Sequence, residues 1–221
     1  MNTLVIAAVA AAPAIFWLWY FYRRDRYEPE PKFLILRTFL LGIGVTIPVA
    51  FIEGLLPLSD LILAVLAAPV IEELAKYMVV KRTVYQNREF DEPMDGVVYA
   101  ASAALGFATL ENIVYITSAY LTSPVEDVLV VYALRALLSV PGHALFSSMW
   151  GYALGRAKFD PAHKTGFILL GLALAMLLHG IFNFILYSSA LLALGVFVLI
   201  LVAWWAVLRL MKDALRRSPF S

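Results

Sequence analysis

Seven runs of about twenty apolar residues, separated by short polar connections, dominate this chain and leave it few ways to fold. They span residues 3–22, 33–56, 60–80, 95–120, 128–154, 166–187 and 189–210. Each is long enough to cross a hydrocarbon layer of about 30 Å as a helix. Lipid offers no partners to backbone N–H and C=O groups, so runs of this kind must satisfy themselves internally, as helices. The expectation is an all-α, polytopic transmembrane bundle. Composition agrees: 62% of residues are hydrophobic and 15% charged, against about 45–50% and ~25% in soluble domains. No polar segment is long enough for a separate soluble domain, so residues 1–221 read as one integral-membrane domain with the lipid bilayer as its surroundings. A net charge of +1 gives no reason to invoke nucleic acid, and the absence of cysteine excludes disulfides, thiolate metal sites and a cysteine nucleophile.

The basic residues give a direction. Arg23, Arg24, Arg26 and Lys32 fall in the first connection, Lys81, Arg82 and Arg88 in the third. Arg156, Lys158 and Lys164 fall in the fifth, and Lys212, Arg216 and Arg217 in the tail, while the second, fourth and sixth connections carry none. Basic loops stay in the cytoplasm, which places the N-terminus outside and the C-terminus inside. At the N-terminus the positive cluster comes after the apolar run instead of before it, the order of a retained first span and not of a cleaved signal. Gly42, Gly44, Gly151 and Gly155 have the small-residue spacing that lets helices approach closely.

Inside the apolar runs sit residues that lipid tolerates poorly. Glu72, Glu73 and Lys76 lie near the centre of the third run, Glu111 in the fourth, His143 in the fifth and His179 in the sixth, all at similar depth. Glu72 and Lys76 are four apart and share a helix face; Glu73 is three from Lys76. His179 projects with Asn183, Arg135 steps with Ser139 and His143, and Phe107, Glu111 and Tyr115 step by fours. Pro69 and Pro141 weaken two of these helices beside the polar residues, as suits a wet cavity. Taken singly, each has a bland explanation. Lys76 with a glutamate is a structural ion pair, a lone histidine a packing element, Asn183 a bridge between helices and Arg135 a partner for Glu111. Glu53, near the outer end of its run, reaches toward headgroups and is given no role. Together, however, three acids, two histidines, an asparagine and two cations are too costly for packing alone, and imply a functional polar chamber.

Such a chamber can activate water. A buried carboxylate can serve as general base, with the histidine and asparagine one turn apart supporting an oxyanion. Alternatively a divalent metal such as zinc, with ligands drawn from Glu73, Glu111, His143 and His179, lowers the pKa of a bound water. Transport is the competing class, since chains of acids and histidines also carry protons and ions; no inverted repeat or pair of broken helices supports it. The His-Glu-x-x-His, Gly-x-Ser-Gly and paired-aspartate motifs of other intramembrane proteases are absent.

The motifs "EELAK", "FATLEN", "PGH" and "HGIFN", in this order on successive runs, resemble those of the PrsW family of intramembrane proteases. They are distantly similar to those of type II CAAX prenyl endopeptidases. The resemblance implies a protease of a bacterial or archaeal plasma membrane that makes the first, site-1 cut in a single-span anti-sigma factor, its partner, during an envelope-stress response. It implies that Glu72, Glu73 and His179 are catalytic, that Glu111 and His143 match intervening motifs, and that Asn183 assists. Similarity to the CAAX enzymes favours Glu72 for water activation. Glu-Glu-x-x-Lys and Phe-x-x-x-Glu depart from the CAAX pattern and argue against prenylated substrates. Both a metal-dependent and a metal-free glutamate mechanism remain open at this stage, as does a non-catalytic scaffold or proton and ion carrier.

Overall fold

The structure, a computed structural model, describes residues 3–188 and 190–221. These form seven helical rods and no strand. The first two are α1 (Thr3–Tyr22) and α2 (Lys32–Leu55). The third begins as α3 (Asp60–Ile62), widens into a π turn over Leu63–Ala67 and continues as α4 (Ala68–Thr83). Next comes α5 (Pro93–Thr122); the fifth rod runs from α6 (Val125–Leu134) through a second π turn, Arg135–Ser139, into α7 (Val140–Phe159). The last two are α8 (Lys164–Tyr187) and α9 (Ala190–Arg216). Six of the rods are long and apolar enough to cross a membrane. The exception is the third, whose apolar stretch carries three charged residues, Glu72, Glu73 and Lys76. Rods such as the fifth outrun their apolar stretches by a few residues, since polar ends remain helical once they leave hydrocarbon.

α5 is the central post. Its first half, from Pro93 to Thr109, is buried throughout, and α7, α2 and α1 pack around it. Small residues permit this. A Cβ on Gly106 would collide with the Phe39 carbonyl, one on Gly42 with that of Ala103, and one on Gly151 with Gly96 and Ala100. Gly155 likewise rests on Pro93. Gly44 departs from the expected packing role: nothing lies within 4 Å of where its Cβ would stand. Two residues along α2 separate a packing glycine from a lipid-side one, because only one stripe of the helix faces α5.

The two π turns have one cause. A π turn pairs each N–H with the carbonyl five residues earlier. Pro69 and Pro141 have no N–H to give, which strips Ala64 and Ala136 of that donor. Other rods replace it: Asn183 Nδ2 donates to Ala64 O at 2.8 Å, and Trp17 Nε1 to Ala136 O at 3.4 Å. Each proline-loosened backbone is thereby tied to a neighbour, and both widened turns sit next to the buried polar residues.

Gly106→Ala should lower the thermal unfolding temperature of the detergent-solubilised protein, by about 1–3 kcal/mol of overpacking. Gly44→Ala, which gains helix propensity in open space, should leave it unchanged or raise it slightly.

Candidate active site

Four rods contribute to one buried polar network. At its centre the Lys76 ammonium, fully buried, donates to Glu72 Oε2 at 3.0 Å, Glu73 Oε1 at 2.9 Å and His143 Nδ1 at 3.1 Å, spending all three of its hydrogens. The Phe107 ring lies 4.2 Å from the same nitrogen. Helical spacing puts both glutamates over the lysine, and the ring and imidazole come from α5 and α7.

Glu73 is saturated. Its Oε1 accepts from Lys76 and from His179 Nδ1 at 3.2 Å, and its Oε2 from Ser147 Oγ at 2.6 Å and Trp150 Nε1 at 2.9 Å. These partners fix the imidazole protons. A carboxylate only accepts, so His179 Nδ1 carries hydrogen and its Nε2 points the other way, 3.9 Å from Glu72 Oε2. An ammonium only donates, so His143 Nδ1 is the bare nitrogen, and its Nε2–H reaches Glu111 Oε2 at 2.8 Å. Arg135 donates to the same Glu111 oxygen at 3.0 Å and to Asn112 Oδ1, with the Tyr115 ring 4.0 Å from its guanidinium. One face of α5 therefore offers ring, acid and ring, at Phe107, Glu111 and Tyr115, to two cations.

The network forms the floor of a cavity of about 440 Å³. Glu72, Glu111, Arg135, His143, His179 and Asn183 line it, together with Glu53, Asp60 and Tyr187 from rod ends. Glu72 is the member of the adjacent pair that faces the space: Oε2 is held by Lys76 and Oε1 has no hydrogen-bond partner among the described residues. Asn183 spends one amide hydrogen on Ala64 and keeps the other. Glu53 and Asp60 flank the connection 56–59, which carries no lysine or arginine.

Several residues at the site carry no overt mark of a role in the sequence. Glu53 does not turn toward headgroups; it lines the cavity, with Oε1 buried and unpartnered. It continues the buried stripe of Gly42, Thr46 and Val49 along α2, a signal the spacing did contain. Ser147 and Trp150 come four and seven residues after His143, on its own face of α7. The ligand set for a metal also differs from expectation. The atoms lying within 4.8 Å of one another belong to Glu72, His143 and His179, whereas Glu73 and Glu111 are occupied by the donors just described. Two imidazoles and a carboxylate suit a zinc-type ion in kind, and Glu73 behind His179 is the orienting carboxylate such ligands usually have. Lys76 shares Glu72 Oε2 and His143 Nδ1 with any such ion, so the two cations would compete for those donors.

Residues 30–208 match the PrsW-protease family, described as PrsW family intramembrane metalloprotease. The chain belongs to this family. Among its relatives, Protease PrsW of Geobacillus kaustophilus is 39% identical over 97% of this chain and 93% of its own length. Protease PrsW of Bacillus subtilis is 37% identical over 95% of each chain, and that of Clostridioides difficile 31% over 91% and 87%. No solved structure matches. As a PrsW-family member the chain is a multi-pass membrane peptidase, and its relatives are bacterial.

Ser147→Ala and Trp150→Phe each remove one donor from Glu73 and loosen the histidine it orients. In a cleavage assay on a membrane-anchored substrate, each should lose about 10–100-fold in rate, as orienting partners do, and each should also lower the melting temperature, by about 1–3 kcal/mol for the buried acceptor left short of a donor.

Proposed function

We propose that the cavity hydrolyses a peptide bond of a single-span membrane protein near the outer face of the membrane, the first cut of an anti-sigma factor in an envelope-stress response. The observation that carries the catalytic part is the inequality of the adjacent glutamates: Glu73 has four donors on its two oxygens, while Glu72 keeps one oxygen free at the cavity floor. Glu72 is the water-activating carboxylate and Glu73 a positioning residue. The cavity's lining reaches Glu53, Asp60 and Tyr187, at the rod ends next to connections without basic residues, the outer ends by the positive-inside tendency, which supports the side of the cut.

The donors and acceptors present suggest the steps. Glu72 Oε1 takes a proton as water oxygen attacks the scissile carbonyl carbon; Lys76 on Oε2 keeps the carboxylate aimed. Arg135 and the second Asn183 hydrogen are donors on the cavity wall for the resulting oxyanion. When the carbon–nitrogen bond breaks, the proton held by Glu72 passes to the departing amine, with His179 Nε2 beside it as relay. A zinc-type ion held by Glu72, His143 and His179 would add a Lewis acid at this point when bound.

Purified protein in liposomes, given a membrane-anchored substrate, tests the assignment. Glu72→Gln should lose about 10²–10⁴-fold in cleavage, the worth of a general base; unchanged cleavage would remove Glu72 from the chemistry. Zinc bound one per chain and lost in His179→Ala would add the metal, whereas full activity after chelation would leave Glu72 alone with the water. Orientation has a separate test, helped by the lack of native cysteine. Cysteine placed at Ser123 should react with a membrane-impermeant maleimide added outside intact cells, and cysteine at Arg88 only after lysis.

A further inference from the structure

A second cluster of acids lies at the opposite end of the bundle. Asp25 and Glu30 come from the first connection, Glu92 from the connection before α5, and Asp95 from the first turn of α5. All four are buried, at 4%, 1%, 0% and 1% exposure. Asp95 and Glu111 are sixteen residues apart on α5, about 24 Å along its axis, so this cluster is separate from the cavity.

Buried carboxylates ordinarily find donors, and these largely do not. Asp95 Oδ2 caps the helix, accepting from the amides of Asp91 at 2.7 Å and Glu92 at 2.8 Å, and Glu30 Oε2 accepts from the Tyr99 hydroxyl. No donor side chain meets Asp25 or Glu92, whose neighbours are the Glu30 backbone and, in a capping box, the Asp95 amide; Oδ1 of Asp95 and Oε1 of Glu30 are buried without a hydrogen-bond partner. What faces Asp25 is the Glu92 and Asp95 carboxyls and the Glu30 backbone. Among the described residues no lysine, arginine or histidine forms an ion pair with any of the four. Lys158, within electrostatic reach of Asp95 and Glu30, donates instead to the carbonyls of Tyr85 and Asn87. An arrangement so short of positive charge is costly, and no side chain among the described residues supplies that charge.

One oxygen or more from each of Asp25, Glu92 and Asp95 lies within 4.8 Å of the others, a separation one ion with oxygen bonds of about 2.1–2.6 Å can span. We propose that these three carboxylates, with Glu30 beside them, hold a hard divalent cation, Ca²⁺ or Mg²⁺, that fastens the first connection to the start of α5. The donor set is all oxygen, which selects such ions over zinc or copper. The two glutamates and two aspartates come from two different connections and the helix start, so the ion closes a long loop of chain around the central helix.

The test is thermal unfolding of the chelator-stripped full chain in detergent, with and without millimolar CaCl2 or MgCl2, beside equilibrium dialysis to count bound ions. One of the salts should raise the melting temperature by several degrees and bind at one per chain; which one does so identifies the ion. Asp25→Asn with Glu92→Gln should abolish both effects. Because that double variant removes repulsion at nearly constant shape, without added cation it should melt at or above the wild-type chain. Glu72→Gln, at the other end of the bundle, should keep the full response. A chain indifferent to both salts, a response that survives in the double variant, or one lost in Glu72→Gln would each overturn the site.

Discussion

The Lys76 ammonium is the group around which this bundle is organised. A charge at that depth is expensive, by several kcal/mol on most scales, and removing a partner from such a buried pair is costlier still. Three acceptors from two rods surround it, and two of them draw in donors or acceptors of their own: Ser147, Trp150 and His179 on Glu73, Glu111 on His143, and then Arg135 on Glu111. Satisfying one lysine therefore fixes how α4, α5, α7 and α8 meet. The same network leaves Glu72 with a free oxygen at a cavity, so the requirements of burial and of reactivity are met by the same contacts.

Backbone geometry supports this arrangement. Pro69 and Pro141 stand three residues before Glu72 and two before His143, and each converts the preceding turn from α to π. A π turn rotates the helix on its C-terminal side relative to the helix on its N-terminal side, so polar residues beyond it point differently from those of an unbroken helix. Arg135 and His143, though separated across the second π turn, still reach the same Glu111 oxygen. The repairs to the freed carbonyls, by Asn183 and Trp17, bind the loosened turns to α8 and α1. Asn183 thus has two duties, one to the backbone and one toward the cavity.

How much of this was legible depends on the range of each interaction. The rods were, because hydropathy is local: all seven appear within a few residues of the apolar runs. The lysine's contact with both glutamates was, because i, i+3 and i, i+4 neighbours on a helix meet wherever the helix goes. The difference in surroundings between Glu72 and Glu73 was not legible in the spacing, and only the similarity to the CAAX enzymes favoured Glu72. Adjacent residues differ by about 100° around the axis, and which of them meets Ser147 and Trp150 depends on where α7 lies. Glu53 went unread for a related reason: its place at the end of an apolar run suggested headgroups, and only the packing of α2 on α5 shows that its stripe turns inward. Gly44 shows the converse, a small residue at the right spacing on the wrong side.

The sequence by itself determined the number and length of the helices, the membrane as their solvent, the depth of the ionisable groups and the family they resemble, since each depends on composition and spacing along the chain. Only the tertiary structure decided which oxygens are spent and which are free, which three side chains can share an ion, and that a second set of acids gathers at the far end. Those depend on the rotation and contact of helices distant in sequence, and no local period encodes them.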